Sequence, residues 1–90
     1  MISQIKIENT MTVCQYTGNN YNEIISMYNG QPIVDNGNLK SVKIRGKFED
    51  GTDGECNIGD YMCIMNNQVF IIPNDVFVSR LQKGFYKYVN

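Results

Sequence analysis

Three groups of side chains have types and spacings that bear on chemistry. The first is Lys43, Arg45 and Lys47, cations at every second residue, with Lys40 just before them. In a strand that spacing puts all three on one face. There, with tyrosines available for stacking, they would suit a phosphate-bearing ligand or single-stranded nucleic acid. The second is the acidic set Glu49, Asp50, Asp53 and Glu55, which has the residue types of a metal or acid–base cluster. The third is the cysteine set Cys14, Cys56 and Cys63, in a chain with no CxxC spacing and no histidine.

Each group also has a plainer use. Asp50-Gly51 and Asp53-Gly54 are turn chemistry, and carboxylates on an outer strand face can pair across to Arg45 and Lys47. The cationic stripe is then a solvated face neutralised by the acidic run, the reading preferred here over anion binding. A zinc site built on three thiolates would still need a carboxylate as fourth ligand. The cysteines are instead expected reduced, unbridged and packed in strands as small apolar groups. Without histidine the chain lacks the commonest general base at neutral pH and any Ser-His or Cys-His pair. It has no GxxxxGK or GxGxxG phosphate loop either. No catalytic residue, metal or cofactor is expected, and the class of function expected is binding.

Aromatic residues supply the second candidate surface. Tyr16, Tyr61, Phe85, Tyr86 and Tyr88 are put forward as contacts for a partner or a second copy, because such rings bury area at interfaces and tyrosine keeps a polar tip. Most of the tyrosines are expected in the core or at its rim. Phe85, Tyr86 and Tyr88 follow Gly84 as a terminal aromatic edge, placed to pair with a second copy, and a homodimer is expected.

The elements that must position these groups follow from periodicity. Ile5 and Ile7 alternate with Lys6 and Glu8, and Val13 leads an alternating stretch to Tyr16, which predicts two short strands. Thr17-Gly18-Asn19-Asn20 then starts a helix, with Asn20 placed to accept first-turn amides and Glu23 as the answering carboxylate of a capping box. Tyr21, Ile24, Ile25 and Tyr28 form one apolar stripe, and Asn29-Gly30 closes it. Asn36-Gly37 predicts a hairpin turn, and its return strand, Leu39 to Phe48, sets Val42, Ile44 and Phe48 against the cations. A short strand at Glu55 to Asn57 follows. Tyr61 to Met65 is apolar on both faces and so predicts an interior strand. Asn66-Asn67 turns the chain into Val69 to Ile72. Pro73, with Asn74 as cap, begins a second helix that turns Phe77 and Leu81 inward and stops at Gly84. The fold class expected is α+β: a small, mostly antiparallel sheet of five or six strands, with the Tyr21–Tyr28 helix on one face and a short C-terminal helix at the edge.

Ninety residues, 42% hydrophobic and 19% charged, have the size and balance of one globular domain over residues 1–90. A domain of this size buries about two-thirds of its unfolded surface, so self-association would help it. A net charge of −1 and a pI near 5.2 provide no global basic field for nucleic acid or an anionic membrane. Any such contact must come from a local patch. No apolar run approaches the roughly 20 residues of a membrane span, and Met1-Ile2-Ser3-Gln4-Ile5-Lys6 lacks a signal-peptide pattern, so no membrane contact and a cytoplasmic location are expected.

Gln15-Tyr16-Thr17-Gly18-Asn19, then Glu23-Ile24, then Gly59-Asp60-Tyr61, and finally Phe70, Pro73, Asp75 and Phe77 resemble a widespread family of small, mostly uncharacterised proteins of tailed bacteriophages and prophages. Members read Gln-Trp-Thr-Gly-Asp-Asn, then a short acidic helix, then a Gly-Asp-Tyr-Ile-Ile strand before Gly-Glu-Phe-Tyr-Pro-Cys-Lys-Pro-Asp-Ile-Phe. Here Tyr16 stands where the family often has tryptophan, and Ile71-Ile72 replaces the Cys-Lys. The resemblance spans most of the chain. It implies a phage or mobile-element origin, a bacterial host cytoplasm, and a host or phage protein as partner. Counter-defence is the most concrete function it implies, by inhibition of a CRISPR nuclease or capture of a nucleotide immune signal. Two other functions stay open: a nucleotide or nucleic-acid module working through the Lys43-Arg45-Lys47 face, and a structural or packaging component needing only a self-association edge.

Overall fold

Runs with apolar residues at two-residue spacing become strands in this chain, and two short amphipathic runs become helices. The computed structural model describes residues 1–6, 10–28, 33–34 and 42–89. In chain order the elements are β1 (Ile2–Lys6), β2 (Thr10–Gln15), α1 (Tyr21–Tyr28), β3 (Ile33–Val34), β4 (Val42–Lys47), β5 (Asp53–Cys56), β6 (Tyr61–Met65), β7 (Gln68–Ile72), α2 (Asn74–Gln82) and β8 (Lys87–Tyr88). The five-stranded sheet has the order β7-β6-β2-β1-β8, and every pairing in it is antiparallel. A second sheet has the order β3-β4-β5, and a single parallel bridge between Phe48 and Ile71 ties the end of β4 to β7. The class is α+β, as expected. The Ile7 strand end and the turns at Asn29-Gly30 and Asn36-Gly37 lie outside the described residues.

Each face of the large sheet carries a buried cluster over its interior strands, which explains why β6 is apolar on each side. On one face Ile5, Met11, Val13, Cys63 and Ile72 pack against Phe77 of α2 and against Tyr86. On the other, Cys14, Met62 and Ile71 pack against Ile24 of α1 and against Ile44 and Cys56 of the β4–β5 hairpin. Two expectations are corrected here. The C-terminal helix covers a sheet face rather than an edge, and the β4–β5 hairpin folds over the sheet instead of extending it. Length supplies the reason: α1 has 8 residues, about 12 Å of helix, too little to cover three strands alone. The hairpin completes the layer. Its fit depends on Gly54, where an added Cβ would collide with the ring of Phe48.

The Gly59-Asp60-Tyr61 motif is the joint between these layers. Gly59, at φ 98°, donates its N–H to the Tyr16 carbonyl at 2.7 Å, and Tyr16 N–H donates to the Asp60 carbonyl at 2.9 Å. The Asp60 carboxylate accepts from Asn57 N–H at 3.1 Å and from Asn74 N–H at 3.0 Å. It therefore caps α2 from outside the helix, at the positive end of the helix dipole. Asn74, expected to cap with its own side chain, is instead the first helical residue after Pro73, and no side chain of the local segment caps the helix. The capping box at α1 is corrected in the same way. Asn20 Oδ1 accepts from Thr17 N–H at 2.8 Å, and its Nδ2 donates to the Gln15 carbonyl at 2.8 Å and to Glu23 Oε1 at 3.2 Å. The first-turn amides of Glu23 and Ile24 reach the Asn20 backbone carbonyl. Gly84, at φ 80°, ends α2 as expected, and Phe85 N–H returns to the Arg80 carbonyl at 2.9 Å.

Candidate binding surface

On β4 the cationic side chains that the structure describes are already partnered. Arg45 stands opposite Glu55 and Lys47 opposite Asp53 in the β4–β5 register. Arg45 Nε lies 3.9 Å from Glu55 Oε1, and Lys47 Nζ lies 2.9 Å from Asp53 Oδ1. Exposed pairs of this kind contribute little stability, but they cancel the local field an anion would need. Lys43 is placed opposite Ile33, and Lys40 lies outside the described residues. Asp50, expected in a turn, accepts from Thr52 N–H and from its hydroxyl at 3.0 and 2.6 Å.

A second polar cluster gathers at the start of α1. Glu23 Oε1 accepts from Cys14 Sγ at 3.1 Å and pairs with the Met1 amino group at 2.6 Å. That amino group, then the Cys14 thiol and Asn20, pull the Glu23 carboxyl down to about 2. Burial, then the neighbouring carboxylate, pushes Cys14 up to about 11. With the carboxyl pulled down and the thiol pushed up, the proton stays on Cys14. Burial likewise raises Cys56 to about 12 and Cys63 higher still. All three cysteines are free and buried. Among the described residues no group of cysteine and carboxylate side chains is arranged to hold a metal ion.

The aromatic candidates divide into two sets. Tyr16 and Tyr86 are only 8% and 6% exposed and belong to the core, so neither is open to a partner. The expectation for them is corrected: the Gly84 stop turns Tyr86 under α2, where its hydroxyl accepts from Arg80 Nη1 at 2.7 Å. The same guanidinium reaches Glu49 at 2.8 Å, so Arg80 ties the β4–β5 turn to the C-terminal segment. Tyr61 is half-buried and stacks on Phe77, with ring centroids 3.7 Å apart and planes 12° from parallel. Burial, then its neighbour Tyr88, raises the Tyr61 hydroxyl above its ordinary value.

Phe85 and Tyr88 remain outside, 63% and 49% exposed, with Val89 beside them at 43%. They lie at the free edge of the five-stranded sheet, where β8 pairs only with β1. Three lysines absent from the expected site residues stand with them. Lys6 and Lys87 line one hollow beside Phe85, and Lys83 lines the hollow on its other side. The local signal for part of this surface was present in Lys83-Gly84-Phe85-Tyr86-Lys87-Tyr88, where cations and rings interleave. Lys6 joins it only through the β1–β8 register.

In comparisons with known proteins, no family model, curated protein or solved structure matches the chain. Among the described residues, no helix is long and apolar enough to cross a membrane.

Proposed function

We propose that the chain is a non-catalytic accessory protein of a phage or prophage that acts by binding a component of its bacterial host, in the host cytoplasm. The observation that carries the binding reading is the joint exposure of Phe85, Tyr88 and Val89 on one sheet edge, while the other large rings among the described residues lie in the two cores or against them. Contiguous exposed apolar surface of this kind marks an interaction site. The protonated, buried thiols and the Glu23 arrangement support the non-catalytic part. The phage origin and the more concrete function, inhibition of a CRISPR or nucleotide-signalling defence, rest on the motif resemblance alone. The structural or packaging alternative uses the same edge for self-association.

Affinity capture from host lysate tests the binding reading. Wild type and the Arg45→Glu, Lys47→Glu variant are expected to retain the same component, and Phe85→Ala with Tyr88→Ala to lose it. Equal capture by all three proteins would remove this edge as the site. Expression in a host whose defence restricts a phage is expected to restore plaques, and unchanged restriction would remove the counter-defence form.

A further inference from the structure

Phe85 stands as a ridge between two shallow hollows. One, of about 400 Å³, runs along α2 past Asp75, Val76, Ser79 and Lys83. The other, of about 500 Å³, is lined by Lys6, Gly84, Lys87, Tyr88 and Val89. Among the described residues Arg45, Lys47 and Arg80 have carboxylate partners, whereas Lys6, Lys83 and Lys87 have none. The three unpartnered cations thus gather around one exposed ring, in a chain whose net charge is −1. Asp75 is the one acidic residue lining either hollow. Lys6 and Lys87 are also direct cross-strand partners, a like-charge pairing that costs stability and that a bound anion would relieve.

We propose that this edge binds single-stranded nucleic acid, with Phe85 and Tyr88 as base-stacking faces and Lys6, Lys83 and Lys87 as phosphate contacts. The proposal rests on the edge being the binding surface and names the chemistry of what it binds. Exposed rings between cations are the elements by which proteins hold single strands without sequence preference, since every base has a face to stack. Lysine also holds phosphate, as a point charge on a flexible stem rather than through arginine's bidentate fork. The hollows on both sides of Phe85 leave room for an extended strand to cross the ridge. A duplex keeps its bases stacked on each other and leaves Phe85 unused. An acidic polypeptide would meet the lysines but offer the rings nothing to stack.

Fluorescence anisotropy of the full chain with a labelled oligodeoxythymidine tests this. Binding is expected at low salt, weakening as salt rises with a log–log slope of about −2, since three neutralised phosphates contribute about −0.7 each on a single strand. Phe85→Ala with Tyr88→Ala is expected to weaken binding by roughly tenfold or more. Exchange of Lys6, Lys83 and Lys87 for glutamine should flatten the salt slope, and Arg45→Gln with Lys47→Gln should change little. Phe85, Tyr88 and the lysines are exposed, so circular dichroism of each variant should match wild type. The proposal is overturned by no binding at low salt, by equal affinity for a duplex, by polyglutamate competing as well as the oligonucleotide, or by loss of binding only in the β4 variant. If the oligonucleotide fails while lysate capture still depends on Phe85 and Tyr88, the surface stands and the nucleic acid falls.

Discussion

The Asp60 carboxylate accepts amide protons from two separate segments, at Asn57 and at Asn74. Asp60→Ala leaves both without that acceptor and removes the negative charge at the start of α2, at an expected cost of about 1–2 kcal/mol. A lower urea midpoint with an unchanged slope would register that loss. Asp60→Asn, which keeps one acceptor oxygen, should lose less; equal losses would mean that charge rather than hydrogen bonding is at work. The buried thiols make a second prediction at this scale. In the unfolded chain a thiol titrates near 9, while Cys14 and Cys56 are held at about 11 and about 12. The unfolded chain therefore releases these protons first. Their contribution is fully present below pH 9 and declines as pH rises from 9 towards 12. Wild type should lose more melting temperature than Cys56→Ala between pH 8 and pH 11, and parallel curves would contradict this. Iodoacetamide at pH 8 should label all three cysteines only after denaturation.

Among the elements, the β4–β5 hairpin has the tightest steric demand. Gly54→Val places a branched side chain where the Phe48 ring lies, and should destabilise by roughly 1–3 kcal/mol through loss of the hairpin's seat on β7. An unchanged denaturation midpoint would show that the hairpin does not need that seat. The β6–β7 turn places Asn66 and Asn67 at φ 53° and 62°, so Asn67→Gly should be tolerated and Asn67→Ala should cost about 1 kcal/mol. Much of this level was legible in the sequence. Alternation located β2 and β4, a run apolar on both faces located β6, the Asn66-Asn67 turn set off β7, and Gly84 marked the end of α2. The layer a hairpin joins was not legible, because alternation tells which side of β4 is apolar and not which surface that side meets. The two caps failed for a related reason: the acceptor for Asn74 comes from Asp60, which only the fold brings to the helix start. Of the candidate site, Phe85 and Tyr88 were readable as a terminal aromatic edge. The burial of Tyr86 and the approach of Lys6 required the Gly84 reversal and the β1–β8 register.

The whole molecule is 42 Å long and 23 by 21 Å across, and among its described residues a neutralised hairpin face contrasts with an edge where lysines and rings are exposed together. That division makes self-association and anion binding respond to salt in opposite directions. A second copy on the same edge would set the two Lys6–Lys87 pairs against each other, so dimerisation seen by sedimentation should be weak and should strengthen as salt screens the repulsion. An anionic partner should bind less tightly under the same change. The Phe85–Tyr88 edge, and not the β4–β5 face, is the proposed binding surface. A titration of isotopically labelled protein with single-stranded oligodeoxythymidine, followed by amide chemical shifts, tests it residue by residue. Shifts are expected at Lys6, along α2 from Asp75 to Ser79 and at residues 83–89, with residues 45–55 unmoved. Shifts centred on Arg45 and Lys47, with the C-terminal edge silent, would contradict it.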